Sequence, residues 1–94
     1  MTTAITPSAR PRLLSGVRTH FDKARDRWVL LAPERALELD AIAMHILAEV
    51  DGQTSLENVI SALAAKFAAP REQIEQDVRA FFLSLEDRRL MEFV

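Results

Sequence analysis

The period of this sequence changes at Asp40. Before it, apolar residues follow strand spacing; after it, they follow helical spacing. The stretch that leads into the switch runs Arg27-Trp28-Val29-Leu30-Leu31-Ala32-Pro33-Glu34-Arg35 and on through Ala36-Leu37-Glu38-Leu39-Asp40. It holds the one tryptophan and the densest β-forming run. Pro33 cannot donate to a ladder, so it marks a bend between two strands. A chain of 94 residues leaves room for one small domain, so the sheet and the helices must share one core.

The strand-like half reads as three strands. Val17, Thr19 and Phe21 share one side of the first, with Arg18 and His20 on the other. Asp22 to Asp26 is a polar connection of hairpin length. Trp28 to Leu31 is apolar on both sides, as a central strand should be, and Trp28 is expected in the core. Arg35 to Leu39 forms the third strand, at an edge of the sheet. Met1 to Arg12, with Pro7 and Pro11 and few core formers, is expected to be a mobile arm, leaving 13–94 as the domain.

Three helices follow. Asp40 caps the first, whose apolar face is Ile42, Ala43, Ile46, Leu47 and Val50, and Asp51-Gly52 ends it. Thr54 and Glu57 fit a capping box at the start of the second, with a stripe of Leu56, Val59, Ile60, Leu63, Ala64 and Phe67. Pro70 opens the third, whose stripe is Ile74, Val78, Phe81 and Leu85. Phe82 lies on the margin of that stripe and Leu83 points toward water. Leu90 to Val94 is short and β-like, and either packs on the sheet or trails. The order predicts an α+β, winged helix-turn-helix-like domain: a three-stranded antiparallel sheet followed by three helices.

Chemistry has little material here. There is no cysteine, no Gly-rich phosphate loop and no metal-ligand spacing. His20 and His45 are unpaired in sequence, and no serine has an elbow signature. No enzyme, metal or cofactor is therefore expected. No apolar run spans a membrane, and Met1 to Arg12 lacks the apolar core of a signal peptide, so a cytosolic protein is expected. Seven of the twelve Lys/Arg but only three of the fourteen Asp/Glu lie in residues 1–35. The helical part is acidic, which argues against phosphate-backbone binding through the helices. The alternative to a peptide binder on this fold is a winged-helix nucleic-acid-binding protein, and it lacks the basic recognition helix.

The run Gly16-Val17-Arg18, Phe21-Asp22, Arg27 to Glu34 and Leu39-Asp40 resembles the PqqD family of pyrroloquinoline quinone (PQQ) biosynthesis. The likeness continues through Asp51-Gly52, Leu63-Ala64-Ala65-Lys66-Phe67 and Ala69 to Val78, covering about Arg12 to Met91. The resemblance implies a non-enzymatic peptide chaperone, a recognition element for ribosomally made, modified peptides. It would hold the precursor peptide PqqA as an added strand beside the third helix and present it to the radical SAM enzyme PqqE. Carried onto this chain, the peptide site would comprise Arg35, Ala36, Leu37, Glu38 and Leu39, faced by Asp77, Val78, Phe81 and Phe82, with Arg79 and Leu83 weaker choices. Arg35 is the most attractive polar contact, against an ion pair with Glu34 or Glu38. Which alternate side chains face the groove stays open, since a one-residue slip inverts the set. An unpaired edge also favours self-pairing, so a homodimer or a strand-swapped dimer belongs to the same expectation.

Overall fold

A computed structural model describes residues 5–94 of the chain. Its elements run β1 (Pro11–Leu13), β2 (Arg18–Asp22), β3 (Arg27–Ala32), β4 (Arg35–Leu39), α1 (Ala41–Leu47), α2 (Leu56–Phe67), α3 (Arg71–Asp87) and β5 (Met91–Phe93). The strands β2, β3 and β4 form an antiparallel meander in that order, so the expected α+β sheet with three helices is present. Leu30 sits opposite Thr19 and Leu37 at its centre. The face carrying Leu30, Leu37 and Leu39 packs on Ile46 and Leu47 of α1, on Leu56, Val59, Ile60 and Leu63 of α2, and on Val78, Phe82 and Leu85 of α3. The opposite face carries Arg18, His20, Val29 and Glu38, and Val29 is buried there by its place on the central strand.

Trp28 is not in this core. It is 39 % exposed and packs edge-on against Phe21, with ring centroids 5.3 Å apart. The pair sits next to the β2–β3 turn, Phe21 opposite Trp28 in the ladder. Leu83 also differs from expectation: it is half-buried and packs against the core.

The helix ends follow their capping chemistry. Asp40 Oδ1 accepts the Ala43 amide at 2.7 Å, which fixes the start of α1. The helix stops at Leu47, earlier than Val50, because Asp51 organises the next turn. Its carboxylate accepts the amides of Gln53 (2.8 Å) and Thr54 (2.7 Å) and the Thr54 hydroxyl (2.9 Å), with Gly52 at φ +79° between them. Thr54 is thereby occupied, and the cap of α2 falls to Ser55, whose hydroxyl accepts the Asn58 amide. The expected Thr54–Glu57 box does not form. Ala68 ends α2 in the left-handed conformation, φ 49° and ψ 41°, before Ala69-Pro70 turns the chain into α3.

The two ends of the chain meet. β1 pairs antiparallel with β5, Arg12 opposite Glu92, and Arg10 and Val94 exchange backbone hydrogen bonds of 2.9 Å. The mobile arm expected over 1–12 is therefore not observed over residues 5–12; residues 1–4 lie outside the described part. Ile5 and Pro11 are buried, the Pro7 and Ala9 carbonyls accept the Glu57 and Leu56 amides, and Arg79 donates to the Ile5 carbonyl at 2.6 Å. The segment supplies acceptors for first-turn amides of α2 that the helix cannot satisfy itself. Among the described residues no helix is long and apolar enough to cross a membrane.

Candidate functional site

β4 is an edge strand, and its backbone pattern can be read from its turn. Ala32 and Arg35 flank the two-residue turn Pro33-Glu34 and face each other in the ladder. A pair next to so tight a turn must be the hydrogen-bonded one, and such pairs alternate along an antiparallel ladder. Leu37 and Leu39 then bond to β3 opposite Leu30 and Trp28. Ala36 and Glu38 turn their N–H and C=O groups toward the open edge. Their side chains lie on the outer face of the sheet, while those of Arg35, Leu37 and Leu39 lie on the helix side.

The edge borders a groove. A cavity of about 400 Å³ is lined by Glu38 and Leu39 of β4, by Asp40, Ile42, Ala43 and Ile46 around the start of α1, and by Asp77 and Phe81 of α3. The carboxylates of Asp40 and Asp77 stand at the Leu39 end. A separate cavity of about 530 Å³ lies around the β3–β4 turn, lined by Glu34, Arg35 and Arg89 beside Leu14, Val17 and Leu90. Arg35 donates to the backbone carbonyl of Arg88, the C-cap of α3. The last turn of α3 has no basic residue of its own, so β4 supplies the cation that suits its negative dipole end.

The residues singled out in sequence divide accordingly. Asp77 and Phe81 face the groove, and Leu37 is half-buried on the sheet's helix side. Leu39 is buried but borders the groove. Ala36 and Glu38 offer backbone, and the Glu38 carboxylate pairs with Arg27 at 2.6 Å on the outer face. Arg35 is tied to α3 rather than paired with Glu34 or Glu38. Val78 is buried, and Phe82 is wholly buried between Phe81 and Phe93, so Phe82 is a core residue and not a groove wall. Arg79 is drawn away to Glu75 and the Ile5 carbonyl. Spacing places Ile42 on the apolar face of α1, but it is 61 % exposed at the groove. The missed signal is its position in the first turn of a seven-residue helix, where the stripe overhangs what it packs on.

Asp51, in the turn between α1 and α2, has a displaced acidity. The amides of Thr54 and Gln53 and the Thr54 hydroxyl hold its carboxyl below the ordinary range. It lies away from the groove. Among the described residues no group of three or more metal-ligating side chains converges.

The family model for coenzyme PQQ synthesis protein D (PqqD) matches residues 27–91, from the central strand to the last one. The chain belongs to the PqqD family. A PqqA binding protein of Xanthomonas oryzae pv. oryzae is 46 % identical over 88 residues, covering 94 % of this chain and 96 % of that one. One from Rhizobium meliloti is 44 % identical, covering 96 % and 92 %. Among solved structures, the PqqD truncation of Methylobacterium extorquens PqqCD superposes with a TM-score of 0.80 at 38 % identity, covering 96 % of each chain. That protein is described as a functional, stand-alone recognition element for ribosomally synthesised and post-translationally modified peptides. PqqD from Xanthomonas campestris is 45 % identical with a TM-score of 0.58, covering 93 % and 97 %.

Proposed function

We propose that this chain is a peptide chaperone of PQQ biosynthesis that binds PqqA as a fourth strand on β4, beside α3, and presents it to PqqE. The observation that carries the reading is the open edge of β4 facing a groove walled by α3. An added strand satisfies the outward groups of Ala36 and Glu38 whatever its sequence, and the groove supplies selectivity through side chains. Relatives named PqqA binding proteins support the choice of client. Charge along β4, with Arg35 at its start and Asp77 beside its end, favours a peptide with an acidic group toward Arg35 and a basic one toward Asp77. The chain contributes binding and orientation; the bond-making chemistry belongs to the partner enzyme. The meeting takes place in the cytosol, where a ribosomal product is released. Without peptide, the same edge pairs with a second copy as a homodimer or a strand-swapped dimer, which light scattering across a concentration series tests.

Titration of isotope-labelled protein with synthetic PqqA is the direct test. Amide shifts concentrated at 35–39 and along 77–81 are expected. Shifts confined to the β2 edge or to the β1–β5 ribbon would overturn this placement.

A nucleic-acid reader on the same fold is disfavoured by α3 itself. It carries Glu72, Glu75, Asp77, Glu86 and Asp87. Two of its arginines are engaged internally, Arg71 with Ser61 (2.6 Å) and Arg79 with Glu75 (2.9 Å). No shift of nonspecific DNA in a low-salt gel is expected.

A further inference from the structure

We infer that the apolar cleft between α1, α2 and the start of α3 takes an apolar side chain from the part of the client peptide that runs on past Leu39. The inference rests on the strand-addition reading above and adds a second, anchoring subsite to it.

Ile42 and Phe67 are the observations that point there. Ile42 stands 61 % exposed on the first turn of α1, and Phe67 is 38 % exposed at the end of α2. Between them lies a cavity of about 250 Å³ floored by Leu63, Ile74 and Val78, with Gln73 and Asp77 the polar side chains at its rim. A small domain gains nothing in stability by leaving such residues in water. The cleft has room for water but few groups to hold it, so an apolar side chain that displaces that water gains affinity.

Continuity identifies the occupant. Ile42, Ile46 and Asp77 line both this cleft and the groove beside β4, so the two form one trough that turns around the start of α1. A strand added along β4 is delivered at Leu39 to its entrance. The walls offer no cation and one carboxylate, which selects an aliphatic or aromatic side chain over an acidic one.

The test compares two synthetic peptides: full-length PqqA, and a short one restricted to the segment that pairs with β4, defined by the amide titration. Phe67→Ser removes a wall of the cleft that the groove beside β4 does not share. It should weaken full-length PqqA by about tenfold and leave the short peptide unchanged, with the methyl signals of Leu63 and Ile74 moving only for the full-length peptide. Equal binding of full-length PqqA by Phe67→Ser and wild type, or unmoved methyls while the β4 amides shift, overturns the subsite and leaves strand addition standing. Unmoved β4 amides overturn strand addition, and the subsite as stated falls with it.

Discussion

Phe81 and Phe82 are neighbours in sequence with ring centroids 6.2 Å apart, yet one lines the groove and the other is wholly buried. A helix turns about 100° per residue, enough to carry adjacent side chains from one side of a wall to the other. Phe82 holds α3 to β5 through Phe93, while Phe81 is the surface that a peptide on β4 would touch.

The two residues should therefore fail differently. Phe82→Ala should cost about 3–5 kcal/mol of stability, enough to unfold much of a domain this small. Phe81→Ala should keep the far-UV dichroism and weaken PqqA binding by about tenfold. Urea melts alongside calorimetric titration separate the outcomes, and a reversed pattern would put Phe82 in the groove.

Proline offers a test of the ladder's phase. The Ala36 amide points to the open edge, so Ala36→Pro removes a donor that only an added strand would use. It should lower peptide affinity by at least about tenfold while the fold survives. Leu37→Pro removes a ladder bond to β3 and should destabilise the domain by about 3 kcal/mol or more. Amide spectra of the two variants decide between this phase and its opposite.

Ala68 occupies a left-handed backbone position at the end of α2, φ 49°. Ala68→Gly should relieve that strain and stabilise the domain by about 1 kcal/mol. For a domain of this size, that corresponds to a rise in Tm of about 4–8 °C by calorimetry.

Asp51 sets a pH dependence. Its folded-state acidity is held below the unfolded value by the Thr54 and Gln53 amides and the Thr54 hydroxyl. The folded state thus binds fewer protons than the unfolded one in that window, and stability rises with pH there. The contribution is complete above the ordinary carboxylate range near about 4 and is lost as pH falls through the lowered value. Asp51→Asn should be less stable than wild type at pH 6, and the difference should shrink on acidification. Urea midpoints from pH 6 down to the acid limb give the slope.

The central meander, the Asp40 cap and the three helices were legible because each rests on local periodicity or on a side chain three residues from the amide it caps. The edge position of β4 followed from its shortness and from the helix that succeeds it. The β1–β5 ribbon was illegible because three-residue strands carry no period, and their partners lie some eighty residues away. The chemistry of Trp28 favours a place in the core, but the side chain stands beside the β2–β3 turn, 39 % exposed. At the groove, the sequence named Asp77 and Phe81 but could not separate Phe81 from Phe82, nor Ile42 from its stripe. Those choices depend on the phase of each helix against its neighbours, and only the packed structure fixes that.

The hydrogen-bonded meeting of Arg10 with Val94 has a consequence for synthesis. The β2–β3–β4 meander and α1 can form while the ribosome is still at work. The segment that tucks under α2 must wait, because its ribbon partner β5 is made after every other described element of the domain. Folding of this domain therefore finishes only once β5 is available, and until then Ile5, Pro11 and the amides at the head of α2 stay open to water or to a chaperone.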